Sequence, residues 1–140
     1  MAFLLHSIDD GHVPAWEYLP VGAITPKVGM ALTQTSGNLA IATAGTAPTY
    51  ISMVEKAAAC TAGDVIPVIR VSKDMIFETT FSAAATSLNV GDKVTLDASN
   101  GMQITASKTE SGANSTTING VAEIVSMDGT AIGDTVRVRF

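Results

Sequence analysis

His6, Asp9, Asp10 and His12 form the one stretch of this 140-residue sequence that has the residue types of a metal site. Coordination needs ligands held rigidly and supported from behind. No periodic pattern surrounds these four, so they are expected on a solvated segment and no metal is assigned. Cys60 is the single thiol, set in Ala-Ala-Ala-Cys-Thr-Ala without a nearby cation to favour its thiolate. It excludes an intrachain disulfide and any multi-cysteine metal centre. Both histidines lie in the first twelve residues, neither in a sequence context that resembles a triad, and no Gly-x-Ser-x-Gly elbow is present. Glycine-rich phosphate loops are also missing. Asp64, Asp92 and Asp134 each follow a glycine, and turn chemistry explains them: Gly63, Gly91 and Gly133 supply positive φ, and each Asp accepts hydrogen bonds from turn amides. A glycosidase-like pair of carboxylates would have to be chosen from 13 acids that nothing singles out. The expectation is a protein that is not an enzyme, with no cofactor.

Composition narrows the class. Hydrophobic residues make up 46% of the chain and charged residues 15%, which excludes intrinsic disorder. Aromatic residues are only 5%, against 20 Ala and 28 Ser plus Thr, so the apolar mass is many small side chains. The net charge of −5 and the lack of any Lys/Arg cluster remove nucleic acid as a partner. No stretch approaches the roughly 18 apolar residues of a membrane-spanning helix, and the start has no basic region ahead of an apolar one. Synthesis in a cytoplasm, with no membrane partner, is expected.

The elements that must position these residues read as strands and turns. Apolar residues recur with period two in short runs punctuated by Gly, Asn and Asp. Met30–Gln34 and Leu39–Thr43 flank Thr-Ser-Gly-Asn, and Lys93–Asp97 and Met102–Thr105 flank Ala-Ser-Asn-Gly, two hairpin signals. Further strands are expected at Tyr50–Glu55, Val65–Val71, Met75–Phe81, Val121–Met127 and Thr135–Phe140. Ala57–Ala62 and Ser82–Ser87 have room for a helical turn each.

These strands fall into two similar sets. Val28-Gly29 followed by a hairpin matches Val90-Gly91 followed by a hairpin, and Ala62-Gly-Asp-Val65 matches Ile132-Gly-Asp-Thr135. The extra length of the second copy falls in the Ser/Thr-rich segment Ser107–Thr117, expected as an exposed loop. The fold class is therefore mainly β: a small β-barrel or β-sandwich built from two similar β-units, approximately 28–71 and 90–140, preceded by an extended N-terminal arm. Residues 1–20 form that arm and 21–140 a single β domain. Pro14, Pro20 and Pro26 favour extended geometry over residues 1–27. Its sticky points, Phe3, Leu4, Leu5, Ile8, Trp16, Tyr18 and Leu19, are the candidate partner interface. The arm is expected to lie on its own domain, a sister subunit or another protein, or to fill the open end of the barrel. As an arm, residues 1–18 should be removable without loss of the folded core.

The stretch Leu19-Pro-Val-Gly-Ala-Ile-Thr-Pro-Lys-Val-Gly-Met-Ala-Leu, with Gly-Asn-Leu-Ala-Ile-Ala-Thr after it, resembles the opening of tailed-phage capsid decoration proteins, also called cement or head-stabilising proteins. Ala62–Val71 and Val121–Met127 are similar to later parts of that pattern. The resemblance implies a structural virion protein on the capsid exterior, made in the host bacterial cytoplasm. It would bind the major capsid protein and its own copies as a homotrimer, and so stabilise the head. Another phage structural subunit (tail tube, baseplate or head fibre) and, less favoured, a carbohydrate-binding β-module are the alternatives. No residue-level site carries over from the resemblance.

Overall fold

The computed structural model describes residues 2–9, 11–106 and 121–140, and among them the chain is all strand and turn, without a helix. The strands are β1 (Leu4–Ile8), β2 (Trp16–Val21), β3 (Ala31–Thr35), β4 (Asn38–Ile41), β5 (Tyr50–Ser52), β6 (Asp64–Arg70), β7 (Met75–Thr80), β8 (Lys93–Val94), β9 (Ala122–Met127) and β10 (Thr135–Arg139). β2-β4-β3-β5-β6 close into a barrel, and β1-β7-β10-β9-β8 form a five-stranded sheet. The turns at Ala57–Ala62 and Ser82–Ser87 stay non-helical. The segment expected as an exposed loop, Ser107–Thr117, lies outside the described residues.

The second sheet repeats the pairing of the barrel. β2 pairs antiparallel with β6 and parallel with β4 at Val21↔Leu39. β7 likewise pairs antiparallel with β10, and Phe81 just beyond it bridges Ile104 in parallel. Single hydrogen bonds match one for one. Gly22 donates to the Leu39 carbonyl at 2.9 Å, and Ser82 to that of Ile104 at 2.8 Å. Thr49 donates to Leu32 and Val121 to Val94, both at 2.9 Å. Gly29 donates to Ser52 and Gly91 to Ile124, both at 2.8 Å; Gly63 donates to Val21 and Gly133 to Phe81, both at 2.9 Å. The Asp that follows each turn glycine serves the same amide position: Asp64 accepts from Thr61, Asp92 from Asn89 and Asp134 from Ala131, each at 2.9 Å. These carboxylates hold turns.

Two apolar clusters follow from the alternation of side chains along each strand. Val21, Leu32, Leu39, Ile66 and Val68 fill the barrel. The opposite faces of the same strands carry Ala31, Ile51 and Ile69, which join Phe77, Phe81, Leu96, Ile104, Ile124, Val136 and Val138 in the second cluster. The barrel wall is thus also a wall of the second unit's core.

The first hairpin turns at Ser36 and Gly37, both at positive φ (50° and 84°), the geometry that matches strand twist. The second turns differently, with Gly101 at φ 66° and Asn100 at negative φ. Its turn is closed by Asp97, whose carbonyl accepts from Gly101 at 2.8 Å and whose carboxylate accepts from the Ser99 amide at 3.0 Å and from its hydroxyl. The Ser99 hydroxyl, chiefly, holds the Asp97 carboxyl below its ordinary value.

The described residues among the first twenty, 2–9 and 11–20, are not an arm outside the fold. β1 pairs with β7, and β2 is a stave of the barrel, so the expected boundary at 20/21 falls inside a strand. The physical reason is main-chain pairing. Prolines at 14 and 20 leave Trp16 to Leu19 free to make a ladder, and Pro20 tolerates its place beside β6. Removing residues 1–18 would strip a sheet edge and half a barrel stave.

Two outcomes test this fold. Gly91 (φ +95°) has open space where a Cβ would stand, so Gly91→Ala costs only backbone strain, about 1–2 kcal/mol. Gly29 (φ +80°) would put a Cβ 2.5 Å from the Ala2 Cβ and 2.9 Å from the Phe3 amide nitrogen, so Gly29→Ala adds a clash that unseats β1. Thermal unfolding should rank wild type above Gly91→Ala and Gly91→Ala above Gly29→Ala; equal losses would show that β1 is not seated at Gly29. Separately, a lowered carboxyl pKa contributes stability above its unfolded value and loses it as pH falls through the folded one. Ser99→Ala should therefore destabilise at neutral pH and raise the Asp97 titration midpoint in NMR. The stability difference should vanish once Asp97 is protonated in both proteins.

Candidate interface

The seven candidate interface residues separate by burial. Phe3 is 1% exposed: its amide donates to the Gly29 carbonyl at 2.9 Å, and its ring meets Phe140 edge-on at 5.2 Å. Phe140 in turn lies 5.6 Å from the Phe77 ring, so Phe3 belongs to the core and presents no surface to a partner. Ile8 and Leu19 are half-buried, packed against the second and first clusters respectively. Leu4, Leu5, Trp16 and Tyr18 remain at the surface, with Trp16 52% and Tyr18 66% exposed.

Leu4, Leu5 and Trp16 come together with Val13 and Val28 around an apolar groove of about 140 Å³ floored by Ile51 and Ile69. Val13 is 90% exposed. Residue types alone did not mark Val13 and Val28: each stands beside a turn-forming Pro or Gly, where hydrophobic periodicity carries no face information. Tyr18 lies on the outer face of the barrel, where Trp16, Tyr18 and Pro20 stand opposite Ile69, Pro67 and Val65, and Val65 is exposed too.

Several ion pairs lie on the same strands. Glu17 accepts from the Arg70 Nε and Nη2 at 3.1 and 3.0 Å, a bidentate pair that, led by this hydrogen bond, raises the Arg70 pKa. Arg70 also stands 4.9 Å over the Tyr50 ring. Arg139 reaches Asp9 at 3.6 Å, and Arg137 reaches Glu78 at 3.0 Å and Asp128 at 3.1 Å. These exposed pairs add little stability and instead fix which charges face outward.

The chemistry-bearing side chains are dispersed. His6 lies exposed on β1, and His12 sits 3.6 Å from Asp74. Asp10 is outside the described residues. Among the described residues no three His, Cys, Asp or Glu side chains stand close enough to hold a metal ion. Cys60 is buried against the first cluster, its amide donating to the Ile24 carbonyl at 2.8 Å. An opening of about 440 Å³ mixes Lys73, Lys93 and Arg139 with Glu123 beside Phe140. No helix among the described residues is long and apolar enough to cross a membrane.

No protein-family model matches the chain, and no curated protein matches it in sequence.

Burial makes the seven residues unequal in a measurable way. Phe3→Ala should cost about 3–5 kcal/mol, as for large core truncations, while Leu4→Ala should stay within about 0.5 kcal/mol. Denaturant unfolding of both variants checks this, and a small Phe3→Ala effect would return Phe3 to the surface.

Proposed function

We propose that this chain is a structural virion protein that binds the outside of a tailed-phage capsid and stabilises the head, with the major capsid protein and further copies of itself as partners. The observation that carries the reading is the clustering of Leu4, Leu5, Trp16, Val13 and Val28, with the single tryptophan of an aromatic-poor chain among them, around one exposed groove. Aromatic and aliphatic side chains gathered around an exposed groove are the make-up of a protein interface. The resemblance of residues 19–43, 62–71 and 121–127 to decoration proteins supplies the capsid as the partner. The shared core suits a load-bearing role, because the two β-units cannot separate without exposing Ala31, Ile51 and Ile69.

Quantitative mass spectrometry of purified virions tests the reading. A molar ratio to the major capsid protein near one is expected. A handful of copies per particle would make it a tail or vertex part, and absence would overturn the virion role. In co-sedimentation with capsids, Leu4→Asp should weaken binding about tenfold or more while leaving the fold intact.

A further inference from the structure

The two β-units differ in one place that pairing reveals. β7 is paired on both sides, with β10 on one and β1 on the other through Leu4↔Glu78 and Leu5↔Phe77. Its counterpart β2 is paired along its whole length with β6, from Trp16↔Ile69 to Val21↔Asp64, but meets β4 only at Val21↔Leu39. Among the described residues, no strand pairs with Trp16–Leu19 on that side. With Val21 standing for Phe81, Tyr18 occupies the position of Glu78, the residue that receives Leu4. The barrel therefore has the same strand seat as the second sheet, and among the described residues nothing fills it.

Backbone direction makes the seat usable. Gly22 donates toward β4, and successive residues alternate, so the N–H and C=O groups of Trp16 and Tyr18 point to the open side. That edge offers two donors and two acceptors between two exposed aromatic side chains. Such edges are templates for another strand unless blunted. The outer edge of β1 is blunted by a bulge between Leu5 and Ser7, whereas β2 runs without a register shift.

We propose that a second copy of this chain occupies the seat, β2 against β2 antiparallel about a two-fold axis at Glu17. One β1 cannot fill two seats, and moving it between copies only empties the other seat. A two-fold β2 contact fills both open seats at once, because each strand gives what it receives. Antiparallel is also the direction β1 adopts on β7. In this register Trp16 faces Tyr18 of the second copy twice, with four main-chain hydrogen bonds and two cross-strand aromatic pairs. The two Glu17 carboxylates approach already neutralised, each by its own Arg70. The contact draws Trp16 from the rim of the groove and leaves Leu4, Leu5, Val13 and Val28 exposed; measured on the purified chain without capsids, it is tested separately from the capsid reading.

The experiment is sedimentation velocity of the purified full chain over a concentration series, with tryptophan emission recorded in parallel. Trp16 is the single tryptophan, so emission reports the surroundings of this one side chain. A reversible dimer is expected, with emission shifting to shorter wavelength as it forms. Tyr18→Pro removes the outward N–H at a position where β6 is not the acceptor, and should weaken dimerisation roughly 10- to 100-fold, since each copy loses a hydrogen bond. Tyr18→Lys, which charges the edge and keeps the amide, should also return the monomer. Circular dichroism should be unchanged in both; if Tyr18→Pro fails to fold, Tyr18→Lys decides. A monomer at all concentrations, or an oligomer indifferent to Tyr18→Lys, overturns the proposal.

Discussion

Ala31 marks the seam on which the structure rests. Its side chain is fully buried in the second cluster, its strand is a stave of the barrel, and its amide donates to the Gly101 carbonyl of the other unit at 2.7 Å. Around it Ala42, Ile51 and Ile69 turn the outside of one unit into the inside of the next. Close approach of two β-layers needs small or flat side chains at the contact, because interiors pack at crystal-like density. The abundance of alanine in this sequence is partly answered here, at Ala31, Ala42, Ala85 and Ala122, each at most 1% exposed. A larger residue at any of them would push the layers apart.

The repeat in the pairing explains why so few residues specify so much. The same short set of bonds, from a turn glycine to the opposite strand and from a Gly-Asp corner to the end of the stave, recurs in both units at matching distances. Each unit needs only those anchors and an alternating strand pattern. The side chains around them have diverged: Trp16, Glu17 and Tyr18 of β2 stand where Ile76, Phe77 and Glu78 of β7 stand. Phe77 is fully buried, whereas Glu17 is tied to Arg70 at the surface. One stave is therefore a covered strand and the other an exposed one.

Much of the strand plan was legible in the chain itself. Alternation placed Met75–Phe81, Val65–Val71 and Thr135–Phe140 within a residue or so of β7, β6 and β10, because period two is the physical signature of a half-buried strand. Gly63 and Gly133 marked matching corners, since few residues other than glycine adopt positive φ without strain. The candidate interface was legible only as a set of large apolar residues near the N-terminus. Whether Phe3 or Leu4 faced a partner was not, since neighbouring residues on a strand point to opposite sides and the sequence does not say which side is covered.

What the sequence by itself determined, then, was a mainly β chain with two similar units and an extended N-terminal segment, because local alternation and turn chemistry act over a few residues. Only the tertiary structure decided that this segment is stitched into the sheets, that Phe3 packs in a core beside Phe140 from the far end of the sequence, and that no described strand pairs with Trp16–Leu19 on one side. Those outcomes depend on contacts between residues more than fifty positions apart, such as Glu17 with Arg70 and Leu4 with Glu78. Pairing at that distance is settled by how whole surfaces fit, which no short stretch of sequence records.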